Sequence, residues 1–348
     1  MLQGKTCLAS DNYTSAHPSV LEAIQSANEI WAPSYGDDIF TEKAAKLIQN
    51  AFSSPCKVFF VPTGTGANVL ALKLSCRRHE SVICSDIAHL HYQECGASES
   101  IVGCKLLPVP HIGGKVTPAA LVHKLQSERM FGKHSTSPRV LSITQPTEFG
   151  TLYSLEELRA LSKVCKTENL LFHIDGSRLY NAVCALKISL DEMIQTAQVD
   201  ILSLGGTKNG LMCAEALLIF NPALQEGSDH INKQTLQLVS KMRYISSQFI
   251  PFFTNELWRT LAQTANQRAQ EIAKILTSHR ECSLSYPVET NQIFFKVPHA
   301  FVPIIQEHIA CYVWDKDEAM TELRFVASWN TTEHDVKKVA DVLALCKK

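Results

Sequence analysis

The stretch FHIDGSRLYNA, residues 172–182, decides the fold. An apolar run ends in Asp175, and Gly176, Ser177 and Arg178 follow at once. Such a run reads as a buried strand that stops in a turn at its carboxyl end. A carboxylate placed there is partly buried and needs a partner. Arg178 is one candidate, as a structural ion pair. The protonated nitrogen of a heterocyclic ring is the other.

Segments on either side repeat the pattern. Strands are predicted at Lys57–Val61, Ser81–Cys84, Lys105–Val109, Val140–Thr144, Leu170–Ile174 and Ile201–Leu204. Helices are predicted between them at Ala67–Cys76, Pro118–Gln126 and Leu155–Thr167. This alternation predicts an α/β domain with a mostly parallel sheet. After about residue 220 the pattern changes. Leu236–Ile245 and Leu257–Thr277 read as long helices, Gln292–Val297 and Leu323–Ser328 as short strands, and Glu333–Cys346 as a last helix. A smaller α+β domain is therefore expected at the carboxyl end. The division is placed at 1–250 and 251–348, near Ile250 and Pro251.

In open parallel sheets, ligands sit in the turns at the carboxyl ends of strands. Two more such turns stand out. VPTGTGAN, residues 61–68, offers Gly64 and Gly66 for close backbone approach, Thr65 as a hydroxyl donor, and the start of a helix. It reads either as a plain tight turn or as a phosphate cradle. It is no P-loop, because no GKS/T follows. It is no full dinucleotide fingerprint, because Val69 holds the third glycine position. SLGGTKNG, residues 203–210, sets Lys208 just after a buried strand, with glycines on both sides. Most lysines are solvated. One desolvated beside other cations loses proton affinity and becomes a nucleophile for an aldehyde. The three turns together form a constellation of phosphate cradle, aspartate and lysine. An aspartate that keeps a pyridinium nitrogen protonated, with a lysine beside it, suits pyridoxal phosphate.

The bulk numbers agree with an ordinary globular enzyme. The chain has 348 residues, 45% hydrophobic and 19% charged, enough to bury a large core. With 33 basic against 34 acidic residues, there is no basic stripe for nucleic acid. No run reaches the roughly 18 apolar residues that span a bilayer. The 12 cysteines form no CxxC pair and read as buried thiols of a reducing compartment. No secretory segment is visible at the start, so a cytoplasmic location is expected. No metal-ligand spacing is visible.

Nearly end to end, the chain resembles the L-threonine aldolase family, low-specificity type. These are fold-type-I pyridoxal phosphate enzymes with the aspartate aminotransferase-like fold. The resemblance is carried by SDNYT (10–14), YGDD (35–38), PTGTGAN (62–68), HLHYQE (89–94), SITQPTEFGTLY (142–153), HIDGSRLYNA (173–182), GGTKNG (205–210) and the strand around Arg324. It implies that Lys208 carries the cofactor as a Schiff base and that Asp175 holds the pyridinium nitrogen. Gly64 and Thr65 would hold the phosphate. Arg178 would touch the cofactor's phenolic oxygen and the substrate carboxylate. Arg324 would anchor that carboxylate, assisted by Ser10. His89 would stack on the ring and serve as base or water activator, with His91 as its rival. Tyr35 would reach a neighbouring subunit's active site, and Arg243 a neighbour's phosphate. A homo-oligomer, dimer or tetramer, with shared active sites follows. The implied reaction is cleavage of L-threonine, L-allo-threonine and related β-hydroxy-α-amino acids to glycine and an aldehyde.

One departure is visible. Another branch of the family carries a second histidine in an ENTHN motif, where this chain reads TQPTEFG with Thr147 near that place. Gln145 and Thr147 would supply only hydrogen bonds. Three rival activities remain open at this point: β-elimination, cleavage of phenylserine-type substrates, and silent binding of the cofactor.

Overall fold

A computed structural model describes residues 4–346. Strand β1 (Thr6–Cys7) is followed by seven strands of one sheet: β2 (Lys57–Val61), β3 (Glu80–Ser85), β4 (Lys105–Val109), β5 (Ser137–Thr144), β6 (Leu171–Gly176), β7 (Ile201–Leu204) and β8 (Glu215–Ile219). Their spatial order is β2-β8-β7-β6-β5-β3-β4. Only β8 runs against its neighbours, pairing antiparallel with β2 and β7. The predicted mostly parallel α/β sheet is therefore present. All six residues of β6 are buried, as expected where helices cover both faces of a parallel sheet.

A buried polar residue inside that strand has its partners. His173 lies between Ser142 Oγ (2.8 Å from Nδ1) and Ser203 Oγ (3.1 Å from Nε2). Burial pushes its pKa down to about 4, so it is neutral at physiological pH. The helix Leu155–Thr167 starts with a reciprocal cap between Ser154 and Glu157, legible in the sequence as SLEE.

Four further strands form an antiparallel sheet in the order β12-β13-β10-β9: β9 (Ser283–Leu284), β10 (Gln292–Pro298), β12 (Tyr312–Lys316) and β13 (Met320–Val326). Strand β11 (Ile309–Ala310) pairs instead with β1. The fold thus has two principal cores. One packs around the main sheet, with Phe172, Ile174, Phe249 and Trp258. The other joins Leu8, Ile272, Phe295, Phe325 and Val342. The helix Leu257–Ser278 serves both. Trp258 and Leu261 lie in the first core, Ile272 and Leu276 in the second.

Two expectations need revision. The segment Leu236–Ile245 is not a long helix. A helix at Ser228–Gln234 ends, Leu236 takes a left-handed backbone (φ 64°) with its side chain 86% exposed, and helix resumes only at Arg243–Ser246. The spacing of Leu236, Leu238, Val239 and Met242 mimics a helical face, but Leu236 does not pack inward. Strand β8 was absent from the sequence reading, because its EALLI run opens with a glutamate. The twelve cysteines are free thiols. Among the described residues, no helix is long and apolar enough to cross a membrane.

Candidate active site

Strand register aligns three polar residues at the carboxyl ends of the sheet. Thr144 on β5 pairs with Asp175 on β6, and Asp175 with Ser203 on β7. The turn after β7 carries Lys208. The two glycines that precede it are required by the protein's own backbone. A Cβ at Gly205 would sit 2.3 Å from Ser177 O, and one at Gly206 would sit 2.4 Å from Ala214 O. The reason for these glycines is thus close packing of backbone on backbone. Gly64 is different: nothing lies within 4 Å of where its Cβ would be, and it lines the cavity beside Lys208. It opens the twelve-residue helix Gly64–Ser75, whose cap is Thr63.

Lys208 is held in place from several sides. Gly206 N–H donates to Glu215 Oε2 (2.6 Å), Ala214 N–H to Thr207 Oγ1 (3.1 Å), and Asn209 Nδ2 to Trp258 O (3.1 Å). Burial and the nearby Arg178 guanidinium lower the proton affinity of Lys208, while Asp11, Asp175 and Glu215 oppose them; the net shift is down. That is the direction a nucleophilic amine needs.

Asp175 is 5% exposed. It does not pair with Arg178. Its Oδ1 accepts from Ser177 N–H (3.0 Å) and its Oδ2 from Asn68 Nδ2 (2.9 Å). Burial works against its charge, but His89, Lys208, Asn68 and the Ser177 N–H outweigh it and hold the pKa below the usual carboxylate value. An ionised carboxylate thus lies at the strand end, as a cationic ring nitrogen requires.

His89 opens the short helix His89–Tyr92. Its Nδ1 lies 2.9 Å from Glu94 Oε1, and Asn68 Nδ2 donates to the same oxygen at 2.9 Å. Asn68 therefore links the histidine's carboxylate to Asp175. His89 lines both of two adjoining cavities, together with Lys208 and Ser177. His91 is not among the lining residues of either.

The inner cavity, about 30 Å³, is bounded by Gly64, Asp175, Lys208 and Glu215. The outer one, about 370 Å³, is bounded by Ser10, Thr147, Glu148, Arg178 and Arg324. A larger cavity of about 600 Å³ lies at the opposite end of the strands, against Phe172, Asp200 and Phe220. It has neither Lys208 nor Asp175, so chemistry rather than size selects the site.

Arg324, on β13, reaches the outer cavity between two rings. Its guanidinium carbon is 5.0 Å from the Tyr312 ring centre and 5.1 Å from that of Trp314, and Nη2 donates to Ala9 O (3.1 Å). Arg178 is gripped by Asp11, Nε to Oδ2 at 2.6 Å and Nη2 to Oδ1 at 2.9 Å. Ser10 caps the turn Asp11–Tyr13, accepting from Asn12 N–H (3.2 Å). Thr65 follows Gly64 on the first turn of its helix. Thr147 lines the outer cavity with its hydroxyl 2.7 Å from that of Thr151. Gln145 is committed elsewhere, bonding both backbone groups of Tyr153 (2.9 and 3.0 Å).

Tyr35 and Arg243 lie outside both cavities of their own chain. Tyr35 is 47% exposed, with Lys233 Nζ 4.4 Å above its ring, and it borders a separate cavity with Lys57 and Met242. Arg243 Nε donates to Ala27 O (3.0 Å). Asp11, Asn68, Glu148 and Glu215 belong to the site without being singled out by the sequence. The first three sit inside quoted motifs, so proximity was legible but function was not. Glu215 had one signal, a charge at the head of an apolar run.

A lysine of lowered proton affinity beside a held aspartate, at the carboxyl ends of a mostly parallel sheet, is an arrangement suited to an amine that joins an aldehyde cofactor. The chain belongs to the beta-eliminating lyase family, whose model matches residues 8–300. Within it, the chain is similar to the low specificity L-threonine aldolases of Pseudomonas sp. and Pseudomonas aeruginosa. It is 38% identical to the first over 334 residues and 38% to the second over 335, each match covering 95% of both chains. Among solved structures it is similar to the threonine aldolase of Leishmania major, with a TM-score of 0.93, 28% identity, and coverage of 98% of this chain and 99% of that one.

Proposed function

We propose that this chain binds pyridoxal 5'-phosphate and cleaves L-threonine, L-allo-threonine and related β-hydroxy-α-amino acids to glycine and an aldehyde. The observation that carries the reading is the shared cavity of Lys208 and Asp175, adjoining a second lined by Arg178 and Arg324. The residues fit the cofactor. Gly64 leaves open space where any side chain would intrude, and Asp175 is kept anionic.

Lys208 would hold the cofactor covalently, Asp175 its ring nitrogen, and Gly64 and Thr65 its phosphate at a helix amino end. When bound, the cofactor supplies a cationic aromatic ring that accepts the electron pair released at the substrate's α-carbon. The protein's own work is positional. Arg324 presents a planar fork suited to a carboxylate, pre-set by its two flanking rings. Ser10 and Arg178 stand beside it. His89, oriented by Glu94, faces both cavities as ring partner and candidate proton acceptor.

A homo-oligomer, dimer or tetramer, completes the proposal, with Tyr35 and Arg243 reaching a neighbouring subunit's site. Their placement away from their own chain's cavities supports that assignment. Free thiols throughout suit a reducing, cytoplasmic setting. The chain would divide into a large cofactor-binding unit at 1–250 and a small carboxyl-terminal one at 251–348.

The test is product analysis of L-threonine incubated with protein and cofactor. Glycine and acetaldehyde in equal amounts are expected. Ammonia and a keto acid from serine or cysteine, without glycine from threonine, would place the chain among eliminating enzymes instead.

A further inference from the structure

We propose that Glu148 is the group that takes the proton from the substrate's β-hydroxyl, the part for which the sequence offered His89. The inference rests on the aldolase reading above. Glu148 lies in the turn after β5 and lines the outer cavity with His89, Thr144, Thr147 and Lys208. Its Oε1 accepts from Thr144 Oγ1 (2.6 Å) and from the backbone N–H of His89 (2.8 Å). These two donors fix the carboxyl while Oε2 takes part in neither bond. A general base must be held in this way, by groups other than the one it deprotonates.

The two cavities separate the roles. Glu148 borders only the outer one, which Asp175 and Gly64 do not line. The substituents of a β-carbon belong there, beside Arg324, the guanidinium open to the carboxylate. His89 borders both cavities and has Nδ1 committed to Glu94. Nothing at Thr147, bonded to Thr151, can accept a proton at neutral pH.

The local electrostatics agree. Burial raises the Glu148 pKa, and the charge of Asp175 adds to the rise; Thr144 and the backbone N–H groups of His89 and of Glu148 itself oppose it, and the net shift is upward. The other titratable groups around it are Lys208, Arg178, Arg324, Tyr13, Tyr312 and the His89 ring at the cavity, Cys84 at the end of β3, and Tyr153 behind. A carboxyl of raised proton affinity is a stronger base than an ordinary glutamate. Asp175 is pushed the opposite way, and two carboxyls driven apart mark two different duties.

The proton balance is simple. The Glu148 carboxylate takes the hydroxyl proton as the C–O bond becomes a carbonyl. The Cα–Cβ bond breaks and its pair stays with the α-carbon, which takes a proton from solvent. Glu148 then returns its proton to water as the aldehyde leaves. Nothing is oxidised or reduced.

The test compares Glu148→Gln with wild-type holoenzyme. Glutamine keeps an oxygen for Thr144 and His89. Three quantities are read: acetaldehyde from L-threonine, exchange of the glycine α-proton with deuterated water, and glycine affinity from visible absorbance. Cleavage should fall about hundredfold or more. Glycine has no β-hydroxyl, so its exchange and affinity should stay within about threefold. Wild-type cleavage should decline as pH falls through the raised Glu148 value, and the variant should lose that limb. Cleavage within about tenfold of wild type, with the acid limb intact, overturns the proposal and returns the duty to His89. An equal fall in all three readouts also overturns it, leaving Glu148 as scaffolding. Wild-type protein that releases no aldehyde at all sinks the aldolase reading itself.

Discussion

Asp11 grips Arg178 with two hydrogen bonds, 2.6 and 2.9 Å, and is itself 1% exposed. The pair ties the amino-terminal segment to the turn after β6, across 167 positions of sequence. It has a functional consequence. With its fork already engaged by a carboxylate, Arg178 is oriented rather than free, and Arg324 is left as the guanidinium open to a substrate carboxylate.

Asp11→Ala should therefore be costly. Removing one member of a buried pair leaves the other uncompensated, at about 3–5 kcal/mol. Urea unfolding of the cofactor-free variant measures this. A loss below about 1 kcal/mol, the level of an exposed pair, would mean that Arg178 finds another partner and that the grip is incidental.

Arg324→Ala should act on binding rather than on cofactor attachment. A charged hydrogen bond is worth about 1.5–3 kcal/mol, so KM for L-threonine should rise roughly 10- to 100-fold. The visible absorbance of the cofactor-loaded variant should match wild type. An unchanged KM would remove Arg324 from the carboxylate site.

Glu215 carries a pH signature in the cofactor-free protein. Burial pushes its pKa up to about 7 from 4.5, with Thr207, Lys208 and the Gly206 N–H opposing. In the unfolded chain it ionises near 4.5, so between that value and 7 the folded form holds a proton that the unfolded form has released. Stability from this group is complete below pH 4.5 and falls as pH rises toward 7, by roughly 3 kcal/mol. Glu215→Gln should flatten that part of the profile of Tm against pH. An identical slope in variant and wild type would show that Glu215 does not titrate there.

Much of this site is legible in the sequence. The strand ends that carry Asp175 and Lys208 show in the sequence because buried parallel strands are short apolar runs with abrupt polar stops. What the sequence withheld is pairing across distance. Nothing local marks Asp11 as the partner of Arg178, or Asn68 as the bridge between Glu94 and Asp175. Glu148 was passed over for Thr147, its neighbour, because only the fold shows which side chains meet the cavity. The segment Leu236–Ile245 misled for a related reason. Its apolar spacing fits a helix, but the left-handed Leu236 breaks it, and its Gln237 lies against Gly66 at the start of another helix.

The most direct test of the central claim follows visible absorbance and acetaldehyde in one cuvette, for wild type and Lys208→Ala, each given pyridoxal phosphate and then L-threonine. Wild type should show an absorbance band that shifts on adding the amino acid while acetaldehyde accumulates. The variant should lack the wild-type band and nearly all turnover. A variant that keeps both would contradict the assignment of Lys208, and with it the reading of the cavity it shares with Asp175.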